Sequence, residues 1–168
     1  MEAKKIEQYL VRKNINSSNV MAHFTAPNWF ECDVARVTSA GFWTEFEVKV
    51  SRSDFRADFK KEGGYYPGDG QGYNRHNKHE AMKCGSCVAP NYFYFVCPEG
   101  LLSVEDMPDY AGLIFVTGSN SWHPLEVVKK APRIHKNKVD GSFVNEMMRI
   151  GANRYLWKHI IPNEPNLK

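Results

Sequence analysis

The chain has 168 residues, of which 42% are hydrophobic, 24% charged and 13% aromatic, with a formal net charge of +3. These values fit one globular domain with a sizeable core and exclude a disordered or fibrous chain, and the mild basic excess permits nucleic-acid contact without demanding it. No apolar run approaches the ~20 residues of a membrane span, and "MEAKKIEQYL" lacks the apolar stretch of a secretion signal, so an intracellular protein with no membrane partner is expected.

Residues 2–13 carry Ile6, Tyr9 and Leu10 at helical spacing, which predicts a short amphipathic helix. "NINSSN" breaks that pattern. "WFECDVARVT" alternates and predicts a strand, with Phe30, Cys32 and Val34 on one side and Glu31, Asp33 and Ala35 on the other. "SAGF" is a turn signal, and a strand over 42–50 follows, so an antiparallel hairpin is expected. Phe46, Val48 and Val50 would face the core, with Glu47 and Lys49 on the opposite face. "SRSDFRADFKK" then changes period. Phe55 and Phe59 are four apart, Ser51 or Ser53 can cap the helix, and Arg52, Arg56, Lys60 and Lys61 make it basic.

The stretch 62–90, rich in Gly, Tyr and Asn, has no clear period and reads as an irregular insertion. "NYFYFVC", "AGLIFVT" and "HPLEVVKKA" predict three further strands, the first two central and covered on both faces. "PEGLLSVEDMP" between them reads as a loop or helical turn. "SFVNEMMRIGANRYLWKHI" predicts a terminal helix with Phe143, Met147, Ile150, Leu156 and Ile160 on its inner face. The order implies a single α/β domain over 1–168, a mixed sheet flanked by helices.

Chemistry concentrates in "TEFEVKVSRSDF". Glu47 and Lys49 are two apart on a strand and project from one face, and a hairpin would bring Asp33 towards Glu47. Adjacent carboxylates repel unless a cation lies between them. A hard ion such as Mg²⁺ takes one or two carboxylates and keeps several waters, one of which can attack a phosphodiester. Lys49 could orient that water and offset developing charge. The competing reading is a solvated strand face, with Glu45, Glu47 and Lys49 all in water.

"ECDVARV", "TEFEVKVSRSDFRADFKK", "PNYFYFVCPEGL" and "MPDYAGLIFV", in that order, resemble the PD-(D/E)xK nuclease superfamily, most closely its MmcB-like DNA-repair group and phage-encoded relatives. The resemblance spans roughly 29–61 and 90–117. It implies a restriction-endonuclease-like core and a Mg²⁺- or Mn²⁺-dependent deoxyribonuclease, in phage or bacterial DNA metabolism or repair. The setting would be the cytoplasm of a bacterial or phage-infected cell, and a homodimer is an option. Asp33, Glu47 and Lys49 would be the catalytic set, with Asp33 and Glu47 holding the metal. An acid from the first helix often joins such sites, and Glu7, then Glu2, are the candidates. Cys32 stands where the superfamily's name has proline, and the insertion at 62–90 is longer than expected for the group. Some superfamily members have lost activity, so a catalytically inactive DNA-binding or adaptor module is the alternative.

The insertion offers a second chemistry. His76, His79, Cys84 and Cys87 give H-x2-H-x4-C-x2-C, a ligand set suited to tetrahedral Zn²⁺, although the spacing is tight; free thiols and loop histidines are the other reading, and Lys78 and His79 could instead reach into the nuclease site or contact phosphate. Cys32 and Cys97 fall in strands and read as small core residues. Tyr65, Tyr66 and Tyr73 with Arg75 and Lys78 mix stacking surfaces and phosphate-seeking charge. Together with Arg52, Arg56, Lys60 and Lys61, Arg75 and Lys78 form the expected DNA-binding set.

Overall fold

The computed structural model describes residues 1–65, 74–118 and 124–159. Helix α1 (Ala3–Asn14) leads into strands β1 (Ser18–Thr25), β2 (Glu31–Thr38) and β3 (Trp43–Val48). Helix α2 (Arg52–Asp58), a hairpin of β4 (Glu62–Tyr65) and β5 (Asn74–Asn77), and helix α3 (Lys78–Lys83) follow. Strands β6 (Tyr92–Pro98), β7 (Ala111–Val116) and β8 (Leu125–Lys129) and helix α4 (Gly141–His159) complete the described elements.

One six-stranded sheet runs in the order β1-β2-β3-β6-β7-β8. Strands β1, β2 and β3 form an antiparallel meander, β6 and β7 run parallel to β3, and β8 turns back against β7. The parallel step from β3 to β6 requires a crossover, and α2, the small hairpin and α3 provide it. The architecture is therefore α/β with a central mixed sheet flanked by helices, and β6 and β7 are interior strands. Among the described residues no helix is long and apolar enough to cross a membrane.

Alternation along the strands divides the core in two. Ile6 and Leu10 of α1 pack on Val34, Phe46, Val48, Val96 and Ile114. On the other side Phe55 of α2, Met82 of α3 and Met147 of α4 join Trp43, Phe93, Phe95 and Leu113. Glu45 and Glu47 have the parity of Trp43 and so face this second side, beneath α2 and α3.

Several expectations change. Strand β1 pairs with β2 along its whole length although "SNVMAHFT" has no strong apolar alternation. Its His23 has φ of 51°, in the left-handed region, and the register passes from Ala22↔Val34 to Phe24↔Cys32 around it. As a result Cys32 and Phe24 enter the second core while Val34 and Ala22 belong to the first, so Cys32 and Val34 do not share a side. The stretch 62–90 is not wholly irregular, since it holds β4, β5 and α3; residues 66–73 lie outside the described ones. Val50 is exposed rather than a core residue, because β3 ends at Val48. In α4 only the first half is anchored: Met147 is buried, Phe143 and Ile150 pack against the core, and Leu156 is exposed. Ile160 lies outside the described residues.

Candidate active site

The paired register of β2 and β3 runs to Val34↔Phe46. Two residues on, the Val48 amide is taken by a side chain: Asp33 Oδ2 accepts its N–H at 2.7 Å. Asp33 is thus fixed at the end of β3. Burial, together with the charge of Glu47, pushes its carboxyl up to about 6 despite that hydrogen bond.

Glu47, 1% exposed, is the hub. Its Oε2 accepts from Lys49 Nζ and from Lys61 Nζ, each at 3.2 Å, and its Oε1 accepts from Lys78. Burial alone would raise its pKa, but the ammonium groups of Lys78, Lys49 and Lys61 outweigh that and hold it below the usual value. Lys49, 3% exposed, reaches the other way to Asp58 Oδ1 at 2.9 Å. Burial opposes its charge, yet Glu47 and Asp58 keep its pKa above normal, so Lys49 remains an ammonium.

Asp58 is as buried as Glu47 and serves three donors. Lys49 is one, Lys61 Nζ lies 2.6 Å from Oδ1, and His79 Nε2 lies 2.8 Å from Oδ2. Despite burial, these partners hold its carboxyl far below the usual range. The other ring nitrogen of His79 meets the Tyr110 hydroxyl at 2.8 Å. His79 and Tyr110 in turn line a surface cavity of about 460 Å³ with Phe59, Asn77 and Lys83. Glu45 completes the cluster. It is fully buried, accepts from Trp29 Nε1 at 2.7 Å and pairs with Lys78. Burial dominates there and pushes its carboxyl up to about 7.

Asp33, Glu47 and Lys49 therefore lie together, but the face expected to be wet is interior. Lys78 is not on a DNA-contacting surface: it is completely buried between Glu45 and Glu47 and offers nothing to phosphate, and with His79 on Asp58 it takes the other course, reaching into the cluster. It stands at the first position of α3, whose N-cap Asn77 accepts from the His79 and Glu80 amides, so the helix start fixes where its side chain enters. Lys61 is half-exposed and turned inward. Arg52 pairs with Asp106 at 2.9 Å, while Arg56 and Lys60 stand exposed on or beside α2. Glu7 of α1 lies 3.2 Å from His23 Nε2, and Glu7, His23 and Asp33 bring ligand atoms within 4.8 Å of one another. Glu2 is exposed at the N-cap of α1.

His79 does not share a ligand cluster with the cysteines among the described residues. It points inward with both ring nitrogens engaged, while Cys84 and Cys87 are exposed free thiols. Cys32 and Cys97 are buried. The side chains of Tyr65, Arg75 and His76, and the whole of Tyr66 and Tyr73, lie outside the described residues.

His23 is the member that sequence reasoning left aside; Asp58 reads from sequence as a helix-capping or solvated residue of the segment after the E-x-K, and Glu45 as a neighbour one step outside the motif. For Asp58 a signal exists: Phe55, Asp58 and Phe59 fall at i, i+3 and i+4, which puts Asp58 on the apolar face of α2. For Glu45 the signal is its parity with Glu47. His23 carries none, since its place opposite Asp33 depends on the β1–β2 register.

No family model matches the chain, and no curated protein matches it. A solved structure of a protein of unknown function from Silicibacter pomeroyi is similar in fold, with a TM-score of 0.61 and 14% identity over 100% of this chain and 99% of that one. At that identity the likeness concerns the fold alone.

The donor set suits a hard divalent ion in kind. Among the described residues the ligand atoms that converge are those of Glu7, His23 and Asp33; Glu47 adds a carboxylate beyond that group, and an adjacent cation would relieve the cost of ionising half-buried Asp33. Lys61, the half-exposed ammonium on Glu47 Oε2, is the group with room to withdraw in favour of such an ion.

Proposed function

We propose that the protein is a metal-dependent nuclease hydrolysing DNA phosphodiester bonds at Asp33, Glu47 and Lys49. The observation that carries this reading is their meeting at the end of β3, where Asp33 Oδ2 accepts from the Val48 amide at 2.7 Å and Lys49 Nζ lies 3.2 Å from Glu47 Oε2. Asp33 and Glu47 would hold Mg²⁺ or Mn²⁺, with Glu7 as a third carboxylate. When bound, that ion would acidify a water and neutralise phosphate charge. Lys49 is a hydrogen-bond donor in this scheme and not a base, because Glu47 and Asp58 keep it protonated. Its ammonium orients the attacking water and offsets charge that develops on the phosphate oxygens. Asp58 sets the angle of Lys49 from the far side. Lys61 moves off Glu47 towards the phosphate backbone, and exposed Arg56 and Lys60 extend the contact along α2. The resemblance to the PD-(D/E)xK superfamily supports the substrate class, with phage or bacterial DNA metabolism or repair as the setting.

A second reading, a nuclease-fold DNA-binding or adaptor module without catalysis, is favoured by one observation: Glu47 and Lys49 are almost fully buried and already ion-paired. Incubation of the purified protein with single- and double-stranded DNA in Mg²⁺, Mn²⁺ or EDTA separates the two. Cutting in either ion, lost in EDTA and in Lys49→Ala and Glu47→Gln, is expected. DNA binding without cleavage in any condition would replace the first reading by the second. Equal cleavage by the wild type and both variants would remove the site.

A further inference from the structure

Glu47 presents its two oxygens to two different cation positions. Oε2 accepts from Lys49 and Lys61, whose charges also act on the Asp33 carboxyl, and Oε1 accepts from Lys78. Lys78 pairs at the same time with Glu45, so one ammonium lies between two carboxylates. None of the three side chains is more than 1% exposed. The Phe93 ring, 5.4 Å from Lys78 Nζ, walls a further side of the ammonium.

The strand itself creates the need for a cation here. Glu45 and Glu47 are two apart on β3, side by side on one face, beneath helices that exclude water. Two buried carboxylates in that position are each costly to desolvate and repel one another. Phosphodiester-cleaving sites with two metals answer the same problem with a second divalent ion, about 3.5–4 Å from the first, on a clamp of carboxylates. In this chain the first residue of α3 reaches that position instead.

We propose that the Lys78 ammonium stands in the place of a second divalent ion, so that the protein binds a single ion per chain, on the Asp33 and Glu47 Oε2 side. This rests on the metal-dependent reading above and specifies its stoichiometry. Lys78 is a positioning residue: it neutralises the Glu45–Glu47 pair and turns Glu47 Oε2 towards the exchangeable ion. Unlike a metal ion, it cannot dissociate, so the positive charge at this position is permanent. Removal of its side chain leaves two carboxylates facing a vacated space, which is a new divalent site.

Mn²⁺ binding to the full-length protein, followed by electron paramagnetic resonance and equilibrium dialysis, tests this without any activity measurement. The wild type is expected to bind one ion per chain, Lys78→Ala two, and Lys78→Arg one. The double variant Glu45→Gln, Lys78→Ala is expected to return to one, because the second site loses a charged ligand. A merely structural Lys78 would alter the stability of Lys78→Ala and leave its ion count at one, which would overturn the proposal. Two ions on the wild type would also overturn it while leaving metal dependence intact. No ion on the wild type would overturn metal dependence itself, and this proposal with it. If Lys78→Ala is unfolded in EDTA, Mn²⁺ is expected to refold it, read by circular dichroism; failure to refold counts against the proposal.

Discussion

Asp33→Asn is expected to stabilise the metal-free protein at neutral pH, although it removes a candidate metal ligand. Burial and the charge of Glu47 raise the Asp33 carboxyl from 3.8 to about 6. Between those values the unfolded chain has released a proton that the folded chain still holds. Stability therefore falls as pH rises through that window and stays lowered above it. The difference of about two pH units, at about 1.4 kcal/mol each, corresponds to about 3 kcal/mol. Solvent at the half-exposed rim reduces this to about 1–3 kcal/mol. Asparagine keeps a carbonyl oxygen for the Val48 amide, so the 2.7 Å hydrogen bond need not be lost. Urea unfolding in EDTA at pH 4 and pH 7.5 measures the effect. The variant should gain about 1–3 kcal/mol at pH 7.5 and little at pH 4. A variant less stable than wild type at pH 7.5, or an equal difference at both pH values, would refute the reasoning. Mg²⁺ or Mn²⁺ should then raise the stability of the wild type and leave Asp33→Asn unchanged.

Asp58→Asn should destabilise by about 3–5 kcal/mol at pH 7, because Lys49, Lys61 and His79 lose a shared buried anion. The Asp58 pKa is lowered in the folded state, so this contribution is present above about pH 4 and is lost as the pH falls; denaturant unfolding at pH 7 giving near-wild-type stability would contradict it. Asn91→Ala should free the segment after β8. Asn91 Oδ1 accepts from the Trp43 amide at 2.8 Å, and its Nδ2 donates to the carbonyls of His135 and Asn137 at 3.2 and 2.6 Å. Each group left unpaired and dry costs about 1–3 kcal/mol, so a lower Tm and faster proteolysis around residues 132–140 are expected, and an unchanged digestion pattern would count against the role.

Local pattern was sufficient wherever one element buries a clear stripe or a continuous apolar run. Ile6 and Leu10 face the core as their spacing predicts, "NYFYFVC" and "AGLIFVT" are interior strands, and Ser51 caps α2 by accepting from the Asp54 amide. The pattern failed where elements are short or polar. Strand β1 has no strong alternation, and the four-residue strands β4 and β5 carry mostly Gly, Asn and charged residues. Such segments are ordered by the partners they pair with, which local composition does not reveal.

The E-x-K spacing by itself placed Glu47 and Lys49 on one face of a strand, because side chains on a strand repeat every two residues. The sequence also put an acid on the preceding strand of a hairpin. It could not decide whether that face is wet, since burial depends on what packs above it. Tertiary structure decided that α2 and α3 cover the face, that Asp58 reaches Lys49 from 9 positions along the chain and Lys78 reaches Glu47 from 31, and that His23 meets Asp33 across the β1–β2 register. Charges that local pattern would leave in water become a buried network because the crossover carries their counter-ions back over β3.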